Sequence, residues 1–446
     1  MAESHATDAF NPEREFMDRE GIEDRQERML REKVDHAYSN TDHYRESFDE
    51  EGLDPSDVKT TDDYQRLVSP MLKEDVRAER SVEDPFGGFL AIDREEVDYL
   101  HTSTGTTGTP TFMPVQDHEV SVGGELLARS VYPHGVEAGG TSLVGGMFYH
   151  LYHRMMERGY TDHLGMTHFN RGGLPFEVES DLEDGAELWE MGAPSVINLT
   201  HAALQKATTL LEDHGVDPGE AFPDLKVVVT AGAVVTAAAR EELEAFWGVP
   251  VVDQGGPTDQ LAFMTAFCEE RTEGWGHMFE DHGFYELLDL DTGEPVAEGE
   301  RGEHTYTSFH LDTTPYLRWR SEDAGVHGGH DCSCGRPHLR TKILGRTVQA
   351  VDVRGRSVFP RDFETVRDDH GYPESPYQLV RRAEQPQDLL RVLFSADVDD
   401  DTRSSMAATL AEDLGLDRDA VELEGIDEAD IPMKGEWKYE LIRDEA

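Results

Sequence analysis

Three groups of residues in this chain have types and spacings suited to chemistry. The first is the eleven-residue run His101–Thr111, HTSTGTTGTPT. Small hydroxyls and two glycines make a poor core and a good anion cradle. Glycine lets the backbone approach an oxyanion, and Ser/Thr hydroxyls and bare N–H groups donate to phosphate oxygens. The run is not the GxxxxGKS/T phosphate loop, because it has no lysine and because Pro110 and Pro114 discourage the helix that motif needs. Composition alone fits a phosphate-binding loop or a Ser/Thr-rich surface hairpin. The second group is Cys268, His277, Cys332 and Cys334. Three thiolates and an imidazole suit tetrahedral zinc with no position left for water, which makes such a site structural; three buried inert thiols are the alternative. The third is Val251–Asp259, VVDQGGPTD, an apolar strand running into a glycine-rich turn that carries a hydroxyl and a carboxylate. Such a turn is a recurring ligand edge of open α/β sheets.

The elements that must position these groups follow from periodicity. Residues 12–47 repeat apolar positions at helical spacing (Met29, Leu30, Val34, Ala37, Tyr38), and a short helix ends near Val76, giving a helical arm over about 12–78. Val97, Tyr99 and Leu100 before the hydroxyl-rich run, and Phe112, Met113 and Val115 after it, predict a loop between two strands. A helix over Val120–Val131, an apolar run from Thr141 to Phe148, a helix and turn over 179–195 and a helix over His201–Glu212 follow. Strand Leu225–Thr230, helix Ala237–Trp247 and strand Val249–Val252 continue the alternation, which indicates an α/β domain with a buried sheet. A further strand is expected at Tyr316–Arg320. Beyond Arg346 a strand at 348–353, a helix from Phe359, a strand Leu390–Phe394, a helix Thr402–Leu414 and a strand Ala420–Leu423 predict a compact α+β domain of about a hundred residues. The expected organisation is a large multi-sheet domain over 1–345 and a small α+β domain over 346–446.

The 93 Asp and Glu against 40 Lys and Arg give a formal charge of −53, spread along the chain. A solvated acidic surface argues against nucleic-acid binding and suits a halophilic cytosolic protein, since salt screens the self-repulsion. With only eight lysines among the basic residues, any lysine near a site carries weight. No basic segment leads into an apolar core at the start, and no run of eighteen apolar residues occurs, so a soluble cytoplasmic protein without membrane contact is expected. Three cysteines, two of them one residue apart, fit a metal in a reducing compartment better than disulfides.

The run Ser103–Thr111, S-T-G-T-T-G-T-P-T, resembles the nucleotide-phosphate loop of the adenylate-forming enzymes, with Thr109 where most relatives carry lysine. The arm, VDHAYSNTDHYRESFDEEGLDPSDVKTTDDYQRL followed by SPMLKEDVR, is similar to one branch of that superfamily, the phenylacetate–CoA ligases. The resemblance implies a large adenylation domain and a small mobile lid. It implies nucleotide contacts at Ser103, Thr104, Gly105, Thr106, Thr107 and Gly108. Asp253, Gly256 and Thr258 match the family's D-x-Y-G-x-S/T-E element, with Asp259 in the Glu position as the magnesium ligand and Gly255 in place of an aromatic that stacks on adenine. Ser321–Asp323 corresponds to R-Y-R-T-x-D, so Asp323 would accept from the ribose hydroxyls, followed by the GR of KILGR at Arg346. Val348–Gln349 stands at the hinge, where relatives carry acids. The tail aligns Lys438 with the catalytic lysine, with Lys434 as its rival and Asp444 as the trailing acid. The same family includes proteins with a Cys…His…Cys-x-Cys site flanked, as here, by H-x-x-E-D and C-G-R, which implies zinc on Cys268, His277, Cys332 and Cys334 over the subsite 268–334, with His282 in reserve. Phe148, Tyr149 and His150 would line the acyl pocket, or belong to the core.

The implied reaction joins a carboxylate to ATP as an acyl-adenylate and then to coenzyme A as a thioester, with ATP, magnesium, coenzyme A and structural zinc as cofactors or substrates. An aryl acid such as phenylacetate is the first expectation. An adenylyltransferase that stops at AMP transfer, for example to a deazaflavin coenzyme, and a non-catalytic nucleotide- or zinc-binding homologue are the alternatives. A homodimer stays open as the assembly.

Overall fold

The computed structural model describes residues 9–102, 112–145, 151–170, 192–232, 235–373, 375–395, 398–432 and 439–445. The arm is helical, as its periodicity predicts. Helix α1 (Arg19–Asn40) starts at Asp18, whose carboxylate accepts from the Gly21 N–H at 2.9 Å, and it buries Ile22, Gln26, Leu30, Lys33, Val34 and Ala37. Leu30, Val34 and Ala37 join Tyr44, Phe48, Tyr64, Met71 and Val76 in a core shared with Phe284, Tyr316, Leu317 and Trp319 of the body. The arm is therefore docked, and its last helix, α2 (Lys73–Glu79), is fixed against the body by a bridge between Met71 and Trp319. Strands β1 (Tyr99–Thr102) and β2 (Phe112–Val115) pair antiparallel on either side of the hydroxyl-rich run, with Thr102 opposite Phe112.

After helix α3 (Asp117–Val131) the parallel half of a large sheet is laid down. It contains β3 (Thr141–Val144), β4 (Thr167–Asn170), β5 (Pro194–Thr200), helix α4 (His201–Asp213), β6 (Val227–Ala231), helix α5 (Ala237–Trp247) and β7 (Val251–Gly255). The near-continuous apolar runs of β5 and β6 are buried on both faces, α4 and α5 covering one and α3 the other. Helix α5 has the predicted bounds because Thr236 caps its first turn and Gly248, at φ 69°, closes its last. The antiparallel half follows with β8 (Met264–Ala266), β9 (Gly276–Met278), β10 (Gly283–Leu288), β11 (Arg301–Ser308), β12 (Trp319–His327) and β13 (Arg340–Arg346). The eleven strands run in the order β10-β11-β12-β13-β9-β8-β7-β6-β5-β3-β4, and the change from parallel to antiparallel falls at β7. The strand expected at Tyr316–Arg320 instead begins at Trp319. Arg318 takes φ 48°, and its guanidinium is locked on Glu286 (2.9 and 3.0 Å) and on the carbonyl of Val68 (2.8 Å), which turns Tyr316 and Leu317 into the core.

A turn at Thr347–Gln349 leads into the small domain, so the strand expected from 348 is confined to β14 (Val351–Val353). Val348 at that turn is 52% exposed. Strand β15 (Arg356–Val358), helix α6 (Pro360–Asp369), β16 (Tyr377–Arg382), β17 (Leu390–Phe394), helix α7 (Asp400–Leu414), β18 (Val421–Gly425) and β19 (Ile442–Glu445) complete it, with sheet order β18-β17-β16-β19 over its own core. Helix α6 contacts the body: Arg301 grips Asp362 through two bonds of 2.8 and 2.9 Å, Arg361 Nη2 donates to the Val235 carbonyl at 2.7 Å, and Thr236 bonds Asp368. Among the described residues no helix is long and apolar enough to cross a membrane.

Candidate functional site

The turn after β7 gathers a charged cluster from three segments distant in sequence. Gly256 has φ 148°, and a Cβ there would lie 2.5 Å from the Ala262 carbonyl oxygen, so only glycine fits. A Cβ at Gly255 would come within 3.2 Å of Ile343 Cδ1, which is where the chain gives up the expected aromatic. The next turn, Thr258–Gln260, is tied down by buried Gln260, whose Oε1 accepts from the Ser308 N–H at 3.3 Å. Asp259 stands on that turn, 3.8 Å from Lys73 Nζ of α2. Lys73 also lies 3.7 Å from Glu322 and donates to the Ser321 carbonyl at 3.0 Å.

The pairing of β12 with β13 sets Asp323 opposite Arg346. Arg346 donates to Asp323 Oδ1 at 3.2 Å and to Glu322 Oε2 at 2.6 Å. Glu322 holds a left-handed backbone (φ 65°), stabilised by its N–H bond to Glu303 at 2.9 Å, a strained position of the kind that persists where its surroundings fix it. Burial pushes the Asp323 carboxyl above its ordinary range, while Arg346 and Lys73 pull it back. The structure thus brings Gly256, Thr258, Asp259, Asp323 and Arg346 to one edge and adds Lys73 and Glu322, which sequence reasoning gave no role. Two signals pointed to them: lysine is scarce, and Glu322 lies inside the SED triplet.

The second cluster is the thiol–imidazole set. Cys268 and Cys334 sulfurs lie 3.6 and 3.5 Å from His277 Nε2, Cys268 lies 3.8 Å from Cys332, and all four donor atoms fall within 4.8 Å of one another. Zn–S bonds of about 2.3 Å and Zn–N bonds of about 2.0 Å in a tetrahedron give S···S edges of about 3.8 Å and S···N edges of about 3.5 Å. The donor set therefore fits zinc closely. The Cys332–Cys334 turn closes with Gly335 N–H on the Cys332 carbonyl at 3.0 Å. Burial lowers the basicity of His277, but the hydrogen bonds its ring N–H donates to the Cys268 and Cys334 sulfurs outweigh it and push it up to about 9. The same crowding divides the thiols, holding Cys334 low and Cys332 high through their bonds with Cys268.

Around the cluster the charges are matched. Arg336 is buried between the rings of Phe16 (4.9 Å) and Phe267 (4.7 Å) and bonds Glu15 at 2.8 Å. Glu280 accepts from Arg19 and from the Leu339 N–H, both at 2.6 Å. Asp281 is gripped by Arg129 at 2.9 and 3.1 Å. His282 is not a ligand; it lies 3.4 Å from Asp281 and 3.0 Å from Arg129.

Ser103, Thr104, Gly105, Thr106, Thr107, Gly108, Thr109, Phe148, Tyr149, His150, Lys434 and Lys438 lie outside the described residues, as does most of the helix expected at 179–195. Asp444, the trailing acid, pairs with Arg381 at 2.7 and 3.1 Å, and Arg381 in turn donates to the Val348 carbonyl at the inter-domain turn at 2.6 Å.

No protein-family model matches the chain. Over 395 residues it is 32% identical to a phenylacetate-coenzyme A ligase of Thermus thermophilus, a match spanning 84% of this chain and 81% of that protein. It is 27% identical over 362 residues to the Escherichia coli K12 protein of the same name, spanning 80% and 79%. Among solved structures, a 2-hydroxyisobutyryl-CoA ligase in the postadenylation state with 2-HIB-AMP superposes with a TM-score of 0.77 at 20% identity, over 97% of this chain and 92% of that one. ATP-bound MatB from Rhodopseudomonas palustris superposes at 0.58 with 17% identity, over 79% and 69%. These likenesses place the architecture in the adenylate-forming CoA ligase fold.

Proposed function

Because the chain belongs to the phenylacetate–coenzyme A ligase family, we propose that it activates an aryl acid such as phenylacetate with ATP and passes the acyl group to coenzyme A. The observation that carries this reading is the convergence of Asp259, Glu322, Asp323, Lys73 and Arg346 on the edge where the sheet changes direction. In the first step a carboxylate oxygen attacks the α-phosphorus of ATP and pyrophosphate leaves. Two anions must meet, so the chain has to supply positive charge. Lys73 is on the spot, and Ser103–Gly108 and Lys438 are assigned the remaining donors and the mobile cation. Asp323 accepts from the ribose hydroxyls, with Arg346 holding its other oxygen. Magnesium fits Asp259, a hard oxygen donor held among the described residues only by a 3.8 Å contact with Lys73, and when bound it would offset charge on the phosphate oxygens.

In the second step the thiol displaces AMP. The small domain turns about the exposed Val348–Gln349 segment, withdrawing Lys438. Phe148, Tyr149 and His150 are assigned to the acyl pocket. The four-residue thiol–imidazole cluster holds structural zinc, with no position open for substrate. A panel of aryl and short aliphatic acids, assayed in high salt with ATP and coenzyme A for AMP and thioester, tests the reading. Phenylacetate or a close analogue is expected to lead. Absence of acid-dependent ATP–pyrophosphate exchange across the panel would end it.

A further inference from the structure

Arg80, one residue beyond α2, sits at the foot of the hairpin that carries the hydroxyl-rich run. Its Nη2 donates to the Phe112 carbonyl and to the Tyr316 hydroxyl, both at 3.0 Å. Phe112 is the residue paired with Thr102, the last described rung before the run. Tyr316 is buried, stacks on Trp319 at 4.7 Å, and is near enough to Asp259 to feel its charge. The other two nitrogens, Nε and Nη1, are shut off from solvent and have no hydrogen-bond partner among the described residues. No carboxylate among the described residues lies within ion-pair distance of this half-buried guanidinium, in a chain of net charge −53 where buried Arg129, Arg318 and Arg336 each have one. Desolvated N–H donors of a cation are costly to leave unpaired.

With Nη2 fixed by protein acceptors, Nε and Nη1 remain as separate donors. They suit an acceptor that presents several oxygens at once, a di- or triphosphate, better than a single carboxylate. We propose that Arg80 binds the β- and γ-phosphates of ATP and the pyrophosphate released from them. This rests on the ligase reading. As the carboxylate oxygen bonds to the α-phosphorus, the bond from that phosphorus to the α,β-bridging oxygen breaks, and pyrophosphate departs with the electron pair. The Arg80 guanidinium balances the charge gained by the leaving group.

Calorimetry on the full chain in high salt, with inorganic pyrophosphate, ATP and AMP as separate probes, tests this. Arg80→Met is expected to weaken pyrophosphate and ATP by about 10- to 100-fold, the range of a charge-assisted contact, and to leave AMP within two-fold. Arg80→Lys should recover part of the loss. Tyr316→Phe, which frees Nη2, should weaken pyrophosphate several-fold. Pyrophosphate binding within two-fold of wild type in folded Arg80→Met overturns the proposal. So does an equal loss for AMP, which would make Arg80 a prop of the fold, and so does a wild type that fails to bind pyrophosphate at millimolar concentration. Acid-dependent exchange by the wild type is recorded alongside. Normal exchange with Arg80-independent pyrophosphate binding removes this assignment alone, whereas Arg80-dependent binding without exchange removes the ligase reading and leaves the phosphate site standing.

Discussion

The edge beyond β7 and the thiol–imidazole cluster are both dense in charge, and they are finished in opposite ways. At the edge, three acids face two cations, contacts to Lys73 are as long as 3.7 and 3.8 Å, and a non-glycine residue holds a strained backbone. Around the thiols, Glu15 meets Arg336, Asp281 meets Arg129 and Glu280 meets Arg19, at 2.6–2.9 Å. A buried charge pair without its partner is costly, so a region whose only task is to stay put completes its pairs internally. A region left short of partners has room for a ligand to complete it. That contrast is what the proposed function requires of a place that receives a ligand and a place that holds the arm to the body.

The strongest way to break the contrast is to remove Lys438, the cation proposed to arrive with the small domain. Lys438→Ala is expected to cut adenylation at least ~100-fold, the order of an oxyanion-type contact, with melting unchanged. Near-normal pyrophosphate exchange in that variant would move the role to Lys434. Cys334→Ser should do the reverse. It is expected to drop bound zinc below about one-third of an equivalent and the melting midpoint by at least about 4 °C, because loss of a structural metal ranks among the large single-residue effects. Its KM for ATP should hold; a folded variant with full zinc and altered KM would dissolve the distinction between the two regions.

A smaller effect sharpens the edge itself. Lys73 sits where a magnesium-bound Asp259 would have its charge already offset. Lys73→Met is expected to slow adenylation about ten-fold while lowering the magnesium concentration needed for half-maximal rate, since a competing cation has gone. A slower enzyme with a higher magnesium requirement would mean that Lys73 only supports the turn.

The parallel half of the sheet was readable because strands buried on both faces spell themselves as unbroken apolar runs, and because Thr236 and Gly248 mark the ends of α5. The clustering of Cys268, His277, Cys332 and Cys334 was readable because few functions use that donor set. Tyr316–Arg320 was misread as a strand for a tertiary reason: the left-handed turn at Arg318 is held by Glu286, which no local pattern announces. Lys73 and Arg80 were opaque on the same ground. Each acquires its neighbours only when the arm docks on Trp319 and Tyr316, contacts between segments far apart in the chain.

The last test concerns how the paired region gives way in acid. The Glu280 carboxyl is buried, which alone would raise its pKa, but His330, Arg19 and His338 outweigh the burial and bring it from 4.5 to about 2. An acid whose folded value is depressed adds stability above its unfolded value, and that stability is lost as the pH falls towards the folded one. The window here is therefore about pH 4.5 down to 2. Within it, protonation loosens the Arg19 contact at the start of α1, so hydrogen exchange in α1 should rise before exchange in β5–β7, whose packing is apolar. Glu280→Gln should start from a lower stability at pH 7 and lose less of it on acidification. Equal slopes of stability against pH in the two proteins would show that this pair does not govern the acid response of the arm.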